Sequence, residues 1–148
     1  MRGKKILSAF IALVLIAGLP VAAFAETWDI ANGDITINAP TEGEQTVSQG
    51  ERQNVSDSNP TITGSSTTNT VTISADAGAT ANVKLEDVSI DVSNNGKAAI
   101  STTGDGDVTI ELEGDSSVKS GGNHAGLEKA NGGNLTIKDD DNDGKLTA

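Results

Sequence analysis

Beyond residue 25, the few aliphatic residues of the chain occur in short runs in which apolar and polar positions alternate. The runs cover residues 34–37, 70–73, 82–85, 88–92, 107–112, 134–137 and 145–147. Each has a period of two and is bounded by glycine, asparagine or aspartate, which is the pattern of β-strands separated by turns. No stretch of ten residues in this part of the chain has helical periodicity. The sequence therefore predicts a nearly all-β protein.

An internal repeat relates several of these runs. A shift of 27 superposes aliphatic positions, with residue 81 on 108 and 135, 83 on 110 and 137, 85 on 112, and 100 on 127. A repeat of this length, with two or three short strands, predicts one rung of a parallel β-helix, in which equivalent aliphatic side chains stack in columns. The repeats lie near residues 81–107, 108–134 and 135–148. A small β-sandwich is the alternative architecture, and the constant register argues against it.

The segment 1–25 has the three parts of a secretory signal peptide. Arg2, Lys4 and Lys5 give a basic start, a long apolar region follows, and Ala23-Phe24-Ala25 places small residues at the −3 and −1 positions of a cleavage site. An uncleaved membrane anchor is the alternative, which the proline within the apolar region and the cleavage site disfavour. We expect export to the cell surface, the cell wall or the periplasm.

The exported part divides into two regions. Residues 26–68 are predicted to form an irregular N-terminal cap with the first strands at 35–37 and 61–63, and Trp28 is expected to plug the first rung. Residues 69–148 are predicted to form the rungs. The third repeat reaches only Ala148, half a rung in. Either further rungs belong to a longer protein, which we favour, or the last rung pairs with another molecule.

Charge and composition exclude several partners. The signal peptide holds three of the 10 basic residues and none of the 21 acidic ones, so the remainder has seven bases and a net charge of −14. Nucleic acids and anionic membranes both require a basic surface, so we expect neither as a partner. Trp28 is the single aromatic residue outside the signal peptide, and the chain has no cysteine. Aromatic-rich ligand pockets, disulfide bonds and thiolate chemistry are thereby excluded.

The run from Asp139 to Gly144 is the most specific local motif. It fits the pattern D-x-[DN]-x-[DN]-G, in which Asp139, Asp141 and Asp143 would supply oxygen ligands to calcium. The motif departs from an EF-hand, because no helices flank it and the chain does not extend to the glutamate at the twelfth position. The alternative is a solvated acidic turn between two strands.

No constellation of residues indicates catalysis. His124 is a lone histidine in a glycine-rich turn with no evident nucleophile–base partner, and Arg52 lies far along the chain from the acidic turns that a polysaccharide lyase would need beside it. Glu111, Glu113 and Asp115 alternate as on the solvated face of a strand. We therefore expect no enzymatic activity.

Several segments resemble repeats of secreted and surface proteins of Firmicutes that are described as containing carbohydrate-binding domains. The segments are TWDIANGDITI, TITGSSTTNTVTI, NVKLEDVSIDVSNNGKAAI and ELEGDSSVKSGGNHAGL, the last being the most specific. The resemblance implies a right-handed parallel β-helix at an extracellular location. In one clostridial branch it also implies binding of calcium and of acidic or cellulosic polysaccharide. It identifies no sugar-binding residues in this chain.

Together these observations predict a secreted or cell-surface protein without catalytic activity that binds extracellular polysaccharide or cell-wall glycan along a flat face of the coil. Calcium is the one candidate cofactor. The alternative is a structural stalk or adhesin segment of a larger surface protein. We expect no membrane association after removal of the signal peptide, and the open C-terminal rung is a candidate for self-association.

Overall fold

The computed structural model describes residues 25–130 and 132–148. The predicted signal peptide therefore lies outside the described residues except for Ala25. The described part is all-β, as predicted, with one short 3₁₀ helix at Ile30–Asn32. The strands are β1 (Thr27–Asp29), β2 (Ile35–Thr41), β3 (Glu44–Gln49), β4 (Arg52–Ser56), β5 (Thr61–Thr63), β6 (Ser65–Ser66), β7 (Val71–Ala75), β8 (Thr80–Glu86), β9 (Ser89–Asp91), β10 (Ile100–Thr103), β11 (Asp107–Glu113), β12 (Asp115–Lys119), β13 (Leu127–Lys129), β14 (Leu135–Lys138) and β15 (Lys145–Thr147). Among these residues no helix is long and apolar enough to cross a membrane.

The strands form three sheets. Sheet A has the order β1-β5-β8-β11-β14, sheet B the order β13-β10-β7-β2-β3-β4, and sheet C the order β15-β12-β9-β6. All neighbouring strands are parallel except β2 with β3 and β3 with β4. From β5 onward the chain visits sheets A, C and B in turn. One such passage is called a layer below, and each strand hydrogen-bonds to its counterpart in the next layer. The strands β1 and β2, which pair with β5 and β7, form the first layer.

The register of the sequence repeat is present in the strand pairing. Val108 of β11 lies opposite both Ala81 of β8 and Leu135 of β14. Ile100 of β10 lies opposite Leu127 of β13. Earlier layers differ in length, because Ile100 also pairs with Val71. The repeat in the sequence therefore corresponds to parallel pairing between consecutive layers, at the positions that the superposition predicts.

Columns of aliphatic side chains run through the interior. In sheet B, Ile35, Val71 and Ile100 follow one another in register and are all fully buried. Because side chains alternate between the two faces of a strand, the polar residues between these positions point outward. Burial decreases in the last layer, where Leu135 is half-buried and Ile137 is 45% exposed.

Between β2 and β5, where the sequence predicts an irregular segment, the structure has a hairpin of β3 and β4. The strands of this hairpin lack the aliphatic alternation used for prediction. In β3 the inward positions are Gln45, Val47 and Gln49, and all three are buried. Two of the three buried side chains are polar, so the alternating pattern cannot be recognised in the sequence.

The buried glutamines of β3 satisfy backbone groups of neighbouring elements. The Gln45 side chain accepts a hydrogen bond from the Asn82 backbone N–H at 2.8 Å and donates to the Asn82 carbonyl at 2.9 Å and the Asp57 carbonyl at 3.0 Å. Gln49 donates to the carbonyls of Asp29 and Gly33. Since β5 pairs with only part of β8, the Gln45 amide takes the place of a missing strand neighbour at Asn82.

The corner between sheets A and C has a constrained backbone. Gly64, Asp87 and Gly114 occupy this corner in successive layers, and all three have positive φ. The Asp87 carboxylate accepts a hydrogen bond from the Asp115 backbone N–H at 3.0 Å in the next layer. A Cβ at Gly114 would lie 2.1 Å from Asp87 Oδ1. The corner therefore requires a residue without a side chain at Gly114.

Candidate functional site

The outer face of sheet A carries an open groove with a volume of about 620 Å³. Its floor is formed by outward side chains of β8, β11 and β14, and its walls by the segment before β5 and the loop after β14. The groove is lined by Ser58, Asn59, Asn82, Val83, Lys84, Thr109, Glu111, Lys138, Asp140 and Asp141. Nearly all of these side chains are polar, and none is aromatic. The groove can therefore offer hydrogen bonds to a hydroxyl-rich ligand but no stacking surface.

Opposite charges alternate across the layers on this face. Glu111 is in register with Lys84 on one side and Lys138 on the other. Lys138 Nζ lies 2.7 Å from Glu111 Oε2 and also pairs with Asp140. The buried Glu111 Oε2 has this ionic partner but no donor in good hydrogen-bond geometry. Glu111 Oε1 accepts the Asp140 backbone N–H at 2.8 Å.

These ion pairs raise the pKa values of both lysines. A hydrogen bond from Lys84 Nζ to Glu113, at 2.6 Å, raises the pKa of Lys84 above its usual 10.5. Close contacts with the carboxylates of Asp140 and, second, of Glu111 raise the pKa of Lys138, and the same contact with Lys138 lowers the pKa of Asp140. Both lysines therefore remain protonated at neutral pH.

The acidic loop after β14 is an ordered turn. The Asp139 carboxylate accepts hydrogen bonds from the backbone N–H groups of Asp143, at 3.2 Å, and of Gly144, at 3.1 Å. Asn142 has positive φ within this turn. Both oxygens of Asp139 are thus engaged by the turn itself, and Asp141 lines the groove of sheet A.

The predicted calcium ligands all lie in this turn. In the described part of the chain, no group of three or more histidine, cysteine, aspartate or glutamate residues is placed to hold a metal ion. Calcium takes six to eight oxygen ligands, of which Asp139, Asp141 and Asp143 could supply only a part. Calcium binding at Asp139, Asp141 and Asp143 stays a prediction, and the function proposed below does not depend on it.

Trp28 packs in the core, as its predicted role as a plug requires. Its side chain is 1% exposed, and its indole Nε1–H donates to Asp57 Oδ2 at 2.9 Å. The guanidinium of Arg52 lies over the ring, with Cζ 4.1 Å from the centroid, and pairs with the Glu26 carboxylate. Trp28 is therefore not available to stack on a sugar, and Arg52 is engaged at the first layer, away from the acidic loop.

His124 lies on the outer face of sheet B. Its Nδ1 is 2.7 Å from Glu128 Oε2, and its backbone carbonyl accepts a hydrogen bond from the Ser120 hydroxyl. Residues around the pair form a shallow depression that includes Ser101 and Lys97. Among the hydrogen bonds of the described residues, the imidazole of His124 contacts the Glu128 carboxylate, and the Ser120 hydroxyl contacts only the backbone of His124.

The part of the site that sequence analysis missed is its pair of lysines. Glu111 and Glu113 are outward-facing, as predicted, but the strand pattern by itself does not identify Lys84 and Lys138 as their partners. The signal was present in the repeat, because the superposition that aligns the aliphatic positions also places Lys84 on Glu111 and Glu111 on Lys138. In parallel pairing such residues become direct neighbours.

No family model matches the chain, no curated protein matches it, and no solved structure matches it. The resemblance to carbohydrate-binding surface proteins of Firmicutes therefore stays a prediction.

Proposed function

We propose that the exported chain is a right-handed parallel β-helix without catalytic activity that binds extracellular polysaccharide along the outer face of sheet A. The groove on that face is the observation that carries this proposal. It presents amide, hydroxyl, ammonium and carboxylate groups from three consecutive layers. A polysaccharide is an extended chain of hydroxyl-rich units, so it can follow the repeat of the layers and meet similar polar groups at each one.

Three features support the β-helix. The chain visits the three sheets in a fixed cyclic order. Consecutive layers pair in parallel, with Ala81 opposite Val108 and Val108 opposite Leu135. A β-sandwich is built from antiparallel sheets, which this pairing disfavours. Right-handedness is proposed because connections between parallel strands of one sheet are almost always right-handed.

The net charge of −14 outside the signal peptide favours a neutral polysaccharide over an acidic one. Like charges would repel an acidic chain over the whole surface, and the two lysines in the groove already have carboxylate partners. Cellulose fragments are therefore the preferred probe, with polygalacturonate as the acidic comparison.

A binding experiment tests the proposal. The exported protein is measured by calorimetry with soluble cello-oligosaccharides and with polygalacturonate, after a glycan array to include cell-wall glycans. The groove variants Asn82→Ala and Thr109→Ala should weaken binding several-fold, because each removes a hydrogen-bonding group from the floor. Ser117→Ala, on sheet C, should leave it unchanged. Equal loss in all three variants, or no glycan bound at all, would refute binding at this face.

A stalk or spacer within a larger surface protein is the second candidate. It is favoured by the regular stacking, because parallel layers in one register add length along one direction. The unfolding force of single molecules, measured by force spectroscopy with and without glycan, distinguishes the two functions. A spacer should resist force well without any glycan, whereas a binding protein should gain mechanical strength when its glycan is present.

A further inference from the structure

Asp57 is a carboxylate without exposure to solvent, at 0%. Its oxygens accept three N–H groups: Glu26 N at 3.0 Å and Trp28 Nε1 at 2.9 Å on Oδ2, and Asn59 N at 3.2 Å on Oδ1. Within residues 25–130 and 132–148 no cationic side chain lies within ion-pair distance of it. A buried charge is costly unless it is hydrogen-bonded and accompanied by an opposite charge, and within these residues Asp57 has the hydrogen bonds alone.

The atom that lies against this carboxylate is the nitrogen of Glu26. The Ala23-Phe24-Ala25 sequence predicts cleavage immediately before Glu26. Ala25 is exposed, whereas Glu26 is partly covered and its carbonyl accepts the Thr61 backbone N–H at 2.9 Å. The last residue that cleavage removes is thus exposed, and the residue that becomes the first is already hydrogen-bonded to Asp57 and Thr61.

We propose that hydrolysis of the Ala25–Glu26 peptide bond, by the leader peptidase of the exporting cell, creates an α-ammonium group at Glu26 that forms an ion pair with the buried Asp57 carboxylate. In this step water adds across the C–N bond, Ala25 leaves as a carboxylate, and the Glu26 nitrogen becomes –NH₃⁺. The inference rests on the export that is part of the proposed function. It deepens that function by assigning a structural consequence to processing.

The surroundings of Asp57 are built to hold it in this position. Its backbone N–H donates to the Gln45 carbonyl at 3.1 Å, and its carbonyl accepts the Gln45 side-chain amide at 3.0 Å. Arg52 covers the ring of Trp28 and pairs with the Glu26 side chain, which fixes the same first residue from its other side. The hairpin therefore provides a receptor for the new N-terminus, with a carboxylate at its base.

The experiment compares exported proteins that differ only at this point. The full chain is expressed with its leader in a bacterial host, recovered after export, and its first residue is identified by N-terminal sequencing and intact mass. A second chain carries Ala-Ser inserted between Ala25 and Glu26, so that cleavage after Ala25 leaves Glu26 N as an amide. We expect the extended protein to melt about 5 °C or more below the unextended one, since a change of about 1 kcal/mol shifts a domain of this size by several degrees.

A double-mutant cycle shows whether the effect belongs to the ion pair. Asp57→Asn should lower the melting temperature of the unextended protein strongly and of the extended protein much less. Asp34→Asn is the matched control, because Asp34 also accepts a backbone N–H, from Thr70 at 2.8 Å, but is exposed and has Thr70 rather than Glu26 as its partner. Its effect should be equal in both proteins.

A chemical readout is independent of stability. The α-amine of the unextended protein should react with an acylating reagent several-fold more slowly than that of the extended protein, because the ion pair shields it. A first residue other than Glu26 would overturn the proposal at the processing step. A first residue of Glu26 with no difference in melting or in labelling would overturn the ion pair while leaving export intact. Failure of the chain to be exported would instead refute the proposed function.

Discussion

The first and last layers of the stack differ in how their core is covered. At the first layer, Trp28 is 1% exposed and the hairpin of β3 and β4 extends sheet B, with its buried glutamines bonded to backbone groups of other elements. In the last two layers, Leu127 and Leu135 are only partly buried and Ile137 is 45% exposed. The same columns of aliphatic residues thus have different environments at their two limits. In a terminal layer the apolar side chains must be covered and the backbone N–H and C=O groups must find hydrogen-bond partners. In the first layer, the buried glutamines provide those hydrogen bonds.

The largest expected effect on stability comes from replacing the buried aromatic residue of the first layer. Trp28→Ala should reduce the free energy of unfolding by about 3–5 kcal/mol, because it opens a cavity and leaves Asp57 without the indole donor. Ile137→Ala should cost about 1 kcal/mol or less, because nearly half of that side chain is already in water. Urea denaturation of both variants measures the difference. Equal costs would show that the two layers are covered equally well in solution.

A smaller effect is expected at the buried amide of Gln45. Gln45→Ala removes the partners of the Asn82 N–H and of two carbonyls, and leaving such buried groups unpaired should cost about 2–3 kcal/mol. Gln53→Ala serves as control, since this exposed side chain makes one hydrogen bond, to the Gly50 carbonyl at 2.7 Å, and should change stability by less than about 0.5 kcal/mol. Amide hydrogen exchange at Asn82 should become faster in the first variant only.

The ion pairs in the layers between the first and the last should contribute less to stability than the residues of those two layers. Lys84→Met removes an ion pair with Glu113 whose side chains are 31% and 39% exposed. Such pairs contribute about 0.5 kcal/mol, and the loss should shrink in high salt. Because the pKa of Lys84 is raised in the folded protein, this contribution is present below pH 10.5 and disappears as the pH rises further. Melting curves of the unsubstituted protein and of Lys84→Met between about pH 8 and pH 11 test this pH dependence. A difference in stability that grows with rising pH would contradict it.

The smallest effect is expected from calcium. Since both oxygens of Asp139 already accept backbone N–H groups, millimolar calcium should raise the melting temperature by no more than about 1 °C, the response expected for a ligand that is far from saturating the native state. Asp141→Asn is the matched variant. A larger rise that this variant abolishes would show that the loop rearranges into the ligand set predicted from its sequence.

The sequence predicts the later layers well and the first one poorly. Period-two runs and the constant shift between repeats locate β8, β11 and β14 and their register, because in those strands every inward position is aliphatic. In β3 the inward positions include Gln45 and Gln49, so a pattern based on hydrophobicity cannot detect the strand. Those glutamines are buried because they bond to the backbone of residues far away in sequence, such as Asn82. No local pattern contains that information.

In the candidate site, too, local sequence patterns predict some features, whereas others depend on contacts between residues distant in sequence. The outward direction of Glu111 could be predicted from its neighbours Ile110 and Leu112, whereas its position between two lysines depends on which strands become neighbours. The buried state of Asp57 could not be predicted at all. It lies in a polar segment between Ser56 and Ser58, and contacts with residues distant in sequence, Glu26 and Trp28 among them, hold it in the interior.

The constant register between β8, β11 and β14 also has a consequence for the gene. An in-frame duplication or deletion of the codons that encode one layer would leave every remaining strand opposite an equivalent partner. The hairpin between β2 and β5 indicates that extra codons between strands can likewise be accommodated. Unequal recombination could therefore produce a series of alleles encoding molecules of different lengths, each inheriting an intact set of contacts, so that length can evolve separately from surface chemistry.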